Sequence, residues 1–182
     1  MLVNAPVFMG VGIGATSCVR IYTRSYLYRF IQLLKIDAVI NPHDNDSMRS
    51  AASRVSGLCI GIDLVQISAI EASIKSFGAH FMQRIFNDEE VAYALRAPAL
   101  TAQRLAARFA AKEAAMKAFG LSEAGVGWRD IEVLRHDNGA CSLQLHRKAA
   151  EIAARTGCTQ IALSLSHDGD YATAMVAAQV PH

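Results

Sequence analysis

The sequence lacks the cysteine patterns of secreted and zinc-bound proteins. Its 182 residues contain four cysteines, Cys18, Cys59, Cys141 and Cys158, which lie far apart and form no C-x-x-C pair. This spacing excludes a dense disulfide framework and matches no common zinc site. We therefore expect the protein to work in a reducing, cytoplasmic environment.

Long apolar runs and a broad excess of basic residues are also missing. The apolar run over residues 2–19 is interrupted by glycines, and no stretch reaches the roughly 20 apolar residues that a membrane span needs. Four of the 18 basic residues and none of the 16 acidic residues lie in residues 1–36, so the rest of the chain is slightly acidic. We expect neither a membrane span nor a nucleic-acid partner.

A polar segment over residues 41–47 divides the chain into two parts. It contains proline, asparagine and aspartate, which favour turns and interrupt regular structure. We interpret residues 1–47 as an N-terminal extension and residues 48–182 as the folded domain. Two readings of the extension stay open: an upstream artefact or disordered segment, or an appended targeting segment.

The domain begins with an alternating pattern and continues with three helical ones. Residues 58–65 alternate between large apolar side chains and a smaller set that includes Asp63, which predicts a strand. A capping box of Ser68 and Glu71 predicts the start of an amphipathic helix. Residues 87–90 predict the start of a second helix. Thr101 is the expected cap of a third, which ends at Gly120.

The second half of the domain reads as two hairpins with a helix between them. Asp137-Asn-Gly139 is a strong hairpin signal between strands at residues 130–134 and 141–145. A short helix over about residues 148–156 precedes strands at 160–166 and 171–179. Interspersed helices and antiparallel strands predict an α+β fold.

The third predicted helix carries an unusual set of charged side chains among alanines. Glu113 and Lys117 lie four residues apart on one face, and Arg108 and Lys112 form a neighbouring stripe. Asp63 and Glu113 together offer carboxylate oxygens to Mg²⁺, which usually accepts one or two carboxylates and completes its shell with water and phosphate oxygens. We therefore expect a magnesium and phosphate site.

Four motifs, in order, give the sequence a family resemblance. They are Ile60-Gly-Ile-Asp63, Phe109-Ala-Ala-Lys-Glu-Ala-Ala-Met-Lys117, Gly127-Trp-Arg-Asp-Ile-Glu-Val133 and Leu163-Ser-Leu-Ser-His-Asp-Gly-Asp-Tyr-Ala172. Over about residues 58–180 the chain resembles holo-[acyl-carrier-protein] synthases, the small 4′-phosphopantetheinyl transferases. The resemblance implies that family's fold, an antiparallel sheet with packed helices, and transfer of 4′-phosphopantetheine from coenzyme A to a serine of an apo acyl carrier protein.

The resemblance also implies roles for individual residues. The expected magnesium ligands are Asp63 and Glu113; the expected catalytic residues are Glu113, Lys117 and His167; the expected coenzyme A contacts are Arg108, Lys112, Lys117, Ser166 and His167. Either Glu113 or a magnesium-bound water is the expected acceptor of the serine proton. The family further implies a homotrimer with active sites at subunit boundaries.

Two other functions remain open at this point. A magnesium-dependent hydrolase of nucleotide pyrophosphates would use the same carboxylates, lysine and histidine without needing a carrier protein. A catalytically inactive paralogue would bind coenzyme A or a carrier protein without turnover. Ala115 and Met116, which replace an aromatic and a small polar residue common in the family, keep the second alternative open.

Overall fold

The computed structural model describes residues 57–122 and 124–181, so the predicted extension over residues 1–47 lies outside the described residues. Their helices and strands are β1 (Leu58–Gln66), α1 (Ile67–Ile85), α2 (Asp88–Leu95), α3 (Thr101–Phe119), β2 (Ile131–Arg135), β3 (Cys141–Leu145), α4 (Arg147–Arg155), β4 (Gln160–Asp168) and β5 (Tyr171–Gln179). Short 3₁₀ turns lie at Pro98–Leu100 and Trp128–Asp130. None of the helices described is both long and apolar enough to cross a bilayer.

The strands form two antiparallel sheets. β5 lies between β1 and β4 in a three-stranded sheet, and β2 pairs with β3 in a separate hairpin. Asp63 on β1 is directly opposite Ala174 on β5, whereas His167 on β4 is opposite Ala172. The α+β prediction and both predicted hairpins are confirmed.

Helix α3 forms the centre of the core. It packs on β1 and β5 on one side and on α1, α2 and β2 elsewhere, and every residue from Leu105 to Met116 is buried. Six of these residues are alanines, whose small side chains let neighbouring backbones approach closely. Arg108, Lys112 and Glu113 are therefore buried as well, at 4%, 0% and 2% exposure.

Gly61 allows α3 to lie directly on strand β1. A Cβ atom at this position would collide with the carbonyl oxygen of Ala114 and would lie 2.8 Å from the backbone nitrogen of Ala118. Both obstacles belong to the helix backbone, which cannot move aside as a flexible side chain can. The glycine thus sets how closely the strand that carries Asp63 approaches the helix that carries Glu113.

Strand β1 turns its larger apolar residues away from the helix. Its smaller side chains face α3, while Leu58, Ile60, Ile62 and Leu64 are 48–60% exposed. Tyr171 and Met175 of β5, opposite Gln66 and Ile62, are also exposed. We call the surface made by these six apolar residues the outer face; they are Leu58, Ile60, Ile62, Leu64, Tyr171 and Met175.

Two predicted helix caps are wrong, and one break in a helix was missed. The hydroxyl of Ser68 donates to the Asp170 carboxylate at 2.7 Å instead of closing a capping box with Glu71. Thr101 is already the first residue of α3, and its hydroxyl donates to carbonyl oxygens of the preceding segment. Helix α1 contains a kink at Gly78, where φ is +55°.

Candidate active site

A group of charged side chains lies where β1 packs on α3: Asp63 comes from the strand, and Glu113 and Lys117 come from one turn of the helix. The ammonium of Lys117 lies 2.6 Å from Asp63 Oδ1 and donates a second hydrogen bond, 3.1 Å long, to the carbonyl oxygen of Ile62. Glu113 lies one helical turn before Lys117, on the same side of α3. The structure therefore brings together Asp63, Glu113 and Lys117, which we call the carboxylate cluster.

The carboxylate cluster favours a protonated Glu113. Burial and, to a smaller extent, the negative charge of Asp63 raise the pKa of this carboxyl to about 8, against the opposing effect of Lys117. Burial also raises the pKa of Asp63, while the hydrogen bond and charge of Lys117 act in the opposite direction. One lysine is therefore not enough positive charge for two buried carboxylates.

The carboxylate cluster has the donors that a magnesium ion requires. Glu113 Oε1 is buried and has no hydrogen-bond partner among the described residues, and a polar oxygen left in this condition is costly unless a ligand satisfies it. Within residues 57–122 and 124–181, no group of three or more potential metal-ligating side chains occurs. Two carboxylates, completed by water and substrate oxygens, suit Mg²⁺ better than a metal enclosed by protein ligands.

A second site lies on the opposite side of α3. A cavity of about 480 Å³ opens between α2, α3 and β2, and its lining includes Tyr93, Arg96, Arg108, Arg135 and His136. Glu89 and Asp137 lie at the same cavity. We call this site the arginine pocket; its cationic lining is suited to an anionic ligand.

Arg108 is the most buried cation of the arginine pocket. Its Nε has no hydrogen-bond partner among the described residues, although Nη1 donates to the carbonyl oxygen of Arg104 at 3.1 Å. Burial lowers the pKa of the guanidinium, partly offset by the negative charge of Glu90. An arginine remains protonated despite such a shift, so the pocket contains a buried positive charge with unused donor capacity.

Lys112, a predicted coenzyme A contact, is fully buried and has protein partners. Its ammonium forms a fully buried ion pair with Glu90 at 2.8 Å. It also donates to the carbonyl oxygen of Trp128 at 3.1 Å and to that of Ile131. These partners use all three ammonium protons, so the geometry favours a structural role for Lys112 over a direct phosphate contact.

Ser166 and His167 lie apart from the carboxylate cluster. β5 separates their strand, β4, from the strand of Asp63, which places the two outer strands about 10 Å apart. His167 is exposed and shares the helix-facing side of the sheet with Asp63, whereas Ser166, one residue earlier, points to the other side. A single protomer does not place either side chain against Glu113.

Three site residues had no recognised signal in the sequence. Glu90 belongs to the predicted start of α2, but its capping-box pattern with Asn87 gave no indication of the buried contact with Lys112. Tyr93 and Arg135 lie on α2 and β2, which are distant in sequence from Arg108. Only the packing of these elements against α3 reveals that the residues share a pocket.

Comparisons with known proteins show which family this chain belongs to. Residues 59–176 match the family model for the 4′-phosphopantetheinyl transferase superfamily. The holo-[acyl-carrier-protein] synthase of Koribacter versatilis is 44% identical over 117 residues, which cover 64% of this chain and 93% of that protein. The corresponding synthase of Gloeobacter violaceus is 42% identical over 117 residues, covering 64% and 89% of the two chains.

Solved structures show the same fold. The ACPS–CoA complex of Chronobacterium ammoniagenes has a TM-score of 0.60 and 32% identity, covering 69% of this chain and 98% of that one. The Helicobacter pylori holo-[acyl-carrier-protein] synthase in complex with coenzyme A has a TM-score of 0.58 and 28% identity, with coverages of 65% and 98%. Because the family model spans well over half of the sequence, this chain belongs to the 4′-phosphopantetheinyl transferase superfamily.

Proposed function

We propose that this chain is a magnesium-dependent holo-[acyl-carrier-protein] synthase. It transfers the 4′-phosphopantetheine group of coenzyme A to a serine hydroxyl of an apo acyl carrier protein and releases adenosine 3′,5′-bisphosphate. The observation that carries the magnesium requirement is the buried Oε1 of Glu113, which lies beside the Asp63 carboxylate and has no hydrogen-bond partner in the described part of the chain. A cytoplasmic location is part of the same proposal and rests on the cysteine spacing.

The reaction replaces one phosphorus–oxygen bond with another. The serine oxygen attacks the phosphorus that bears the pantetheine group, and the bond from that phosphorus to the bridging oxygen of the pyrophosphate breaks. The bridging oxygen leaves with adenosine 3′,5′-bisphosphate, and the serine proton must be removed. Positioning and charge stabilisation account for most of the rate enhancement in such transfers.

The carboxylate cluster supplies the groups that this reaction needs. Asp63 and Glu113 would hold the magnesium ion, which when bound neutralises charge on the pyrophosphate oxygens. Lys117 adds a positive charge 2.6 Å from Asp63, near the oxygens on which negative charge grows. We assign the serine proton to Glu113, the carboxylate of this cluster on α3.

We propose that the arginine pocket binds the phosphorylated adenosine end of coenzyme A across a subunit boundary, with the pyrophosphate at the carboxylate cluster of one protomer and the adenosine end in the arginine pocket of its neighbour. Arg108 contributes a buried charge whose Nε has no partner within residues 57–122 and 124–181, and Arg135 and His136 line the same cavity. Planar guanidinium groups match the geometry of phosphate oxygens. In this assignment Arg108 retains its predicted role as a coenzyme A contact, whereas Lys112 supports the pocket from within the core.

A homotrimer is the proposed assembly. The outer face exposes six large apolar side chains on adjacent strands, and contiguous apolar surfaces of this kind commonly mark an interface. His167 is exposed and separated by β5 from the strand of Asp63. We propose that Ser166 and His167 of one protomer contact coenzyme A bound at a neighbour's carboxylate cluster, and that His167 takes part in catalysis there.

The decisive experiment incubates the purified full chain with coenzyme A, magnesium and apo acyl carrier protein and weighs the carrier by intact-protein mass spectrometry. We expect a mass gain equal to one phosphopantetheine group, which a chelator abolishes and magnesium restores. A matched reaction uses a carrier whose acceptor serine is alanine. Release of adenosine 3′,5′-bisphosphate in that reaction would instead indicate a hydrolase, and coenzyme A binding without any product would indicate an inactive paralogue.

A further inference from the structure

Tyr93 on α2 lies at the centre of a group of three arginines. The distances from the centre of its ring to the guanidinium carbons are 4.5 Å for Arg104, 4.3 Å for Arg108 and 5.2 Å for Arg135. Each lies within the roughly 6 Å over which an aromatic ring attracts a cation. The ring takes no direct part in the proposed transfer reaction.

The three guanidinium groups repel one another, and no carboxylate among the described residues forms an ion pair with any of them. Arg104 donates to the backbone oxygen of Tyr93 at 2.9 Å, and Arg108 donates to that of Arg104 at 3.1 Å. The ring face and these carbonyl dipoles therefore partly offset the positive charge, together with the more distant charge of Glu90 on Arg108. Such a cluster has a strong electrostatic preference for an added anion.

Arg108 and Arg135 approach the ring from different elements. Arg108 belongs to α3 and Arg135 to the end of β2, and both line the arginine pocket together with Tyr93. Their charges act on one another, since the proximity of Arg135 lowers the pKa of Arg108. Without the ring, mutual repulsion would drive the more exposed Arg135 towards solvent.

We infer that Tyr93 is a positioning residue that holds Arg108 and Arg135 together, so that the arginine pocket selects nucleotides with a second phosphate group on the ribose. This inference rests on the proposed function, because it concerns how the pocket distinguishes coenzyme A from the same molecule without its 3′-phosphate. The aromatic ring is the active part of Tyr93, since the guanidinium groups lie over the ring itself.

The test compares the binding of two probes to the full chain by isothermal titration calorimetry: adenosine 3′,5′-bisphosphate and adenosine 5′-monophosphate. Wild type should prefer the bisphosphate. In Tyr93→Leu the ratio of the two dissociation constants should be about tenfold smaller than in wild type, as expected for a cation–π contribution near 1.4 kcal/mol. Tyr93→Phe retains the ring and should behave as wild type.

A shape-preserving series covers the possibility that Tyr93→Leu does not fold. Mono-, di- and trifluorinated phenylalanine at position 93 withdraw charge from the ring face progressively with little change in volume. We expect the preference for the bisphosphate to fall stepwise along the series while monophosphate binding stays constant. A flat series, or an equal loss for both probes, would overturn the inference.

Kinetics separate this inference from the proposed function. With a carrier protein as acceptor, Tyr93→Leu should raise KM for coenzyme A about tenfold, leave kcat unchanged, and leave KM for dephospho-coenzyme A unchanged. If wild type transfers no phosphopantetheine, the proposed function fails, and the calorimetric series still decides the role of Tyr93. If wild type is active and Tyr93→Leu retains the preference for coenzyme A, only the role of Tyr93 fails.

Discussion

Glu90 and Lys112 form an ion pair 2.8 Å long in which neither side chain has any solvent exposure. Glu90 also accepts hydrogen bonds from the backbone of Asn87 at 2.8 Å and of Val133 at 3.1 Å. Lys112 donates to the backbone oxygens of Trp128, in the turn before β2, and of Ile131, the first residue of β2. The pair thus joins α2, α3 and β2 around one buried pair of charges.

Removing one partner of this pair should destabilise the fold. Lys112→Met leaves the Glu90 carboxylate buried without its cation, and we expect the free energy of unfolding to fall by about 3–5 kcal/mol in urea titrations. Lys148→Met, at an exposed site on α4, is the control and should change stability little. Unchanged stability in Lys112→Met, together with a raised KM for coenzyme A, would contradict the structural role and favour the direct contact.

Gly61→Ala should separate β1 from α3. The added methyl group meets backbone atoms of Ala114 and Ala118, so the helix must shift, and we expect a loss of several kcal/mol in the free energy of unfolding. Gly169→Ala is a useful comparison, because its Cβ meets no atom within 4 Å and only its positive φ is unfavourable. That variant should lose only about 1 kcal/mol. Equal thermal shifts in the two variants would argue against the tight contact.

Loss of either carboxylate should abolish the magnesium-dependent reaction while leaving the fold intact. We expect Asp63→Asn and Glu113→Gln each to reduce kcat/KM by about a hundredfold or more. Glu151→Gln is the control: it makes the same glutamate-to-glutamine change at an exposed position on α4, away from the site, and should retain activity. The measurement is the rate of carrier modification by mass spectrometry; near-normal rates in either cluster variant would remove the metal assignment.

Stability should fall as pH rises from about 5 to 8. The folded protein keeps a proton on Glu113 until its pKa of about 8, whereas the unfolded chain releases it near 4.5. Since the folded state binds more protons in this window, this carboxyl lowers the free energy of unfolding by about 1.4 kcal/mol per pH unit. The raised pKa of Asp63 acts in the same direction.

Glu113→Gln removes that titration and should flatten the pH dependence measured by urea unfolding without magnesium. Glu151→Gln retains the buried carboxyl and should keep the wild-type slope. An identical slope in wild type and Glu113→Gln would show that another group is responsible for the pH dependence.

A charge on the outer face should dissociate the proposed trimer. Ile60→Glu places a carboxylate among exposed apolar side chains of β1, and we expect multi-angle light scattering to show the mass of one chain instead of three. Leu100→Glu alters an exposed leucine outside the sheet and is the control. If the proposed assembly completes the active site, Ile60→Glu should also lose transferase activity. Wild type that is already monomeric would contradict the proposal.

Periodicity predicted most of the helices and strands because their signals are local. Alternation identified β1, and Asp137-Asn-Gly139 identified the β2–β3 hairpin. Local signals did not reveal that Asp170, about a hundred residues away in sequence, binds Ser68 at the start of α1. The predicted Ser68–Glu71 capping box was wrong because a long-range partner replaced the local one.

The charged helix shows a second limit of prediction from sequence. Its spacing correctly separated Glu113 and Lys117 from the stripe of Arg108 and Lys112. It could not show that α3 is buried on nearly all sides, because alanines are compatible with both exposed and buried helices. The roles expected for Lys112 therefore depended on tertiary contacts with Glu90 that no sequence pattern encodes.

The contact between Gly61 and the backbone of α3 also bears on how this protein can change over time. Asp63 and Glu113 are held at their separation by two main chains in direct contact, with no intervening side chain whose size could be adjusted. Substitutions elsewhere in the core can alter stability while leaving the spacing of the two carboxylates nearly constant. The arrangement of carboxylates that the reaction needs can therefore persist while the surrounding core residues change.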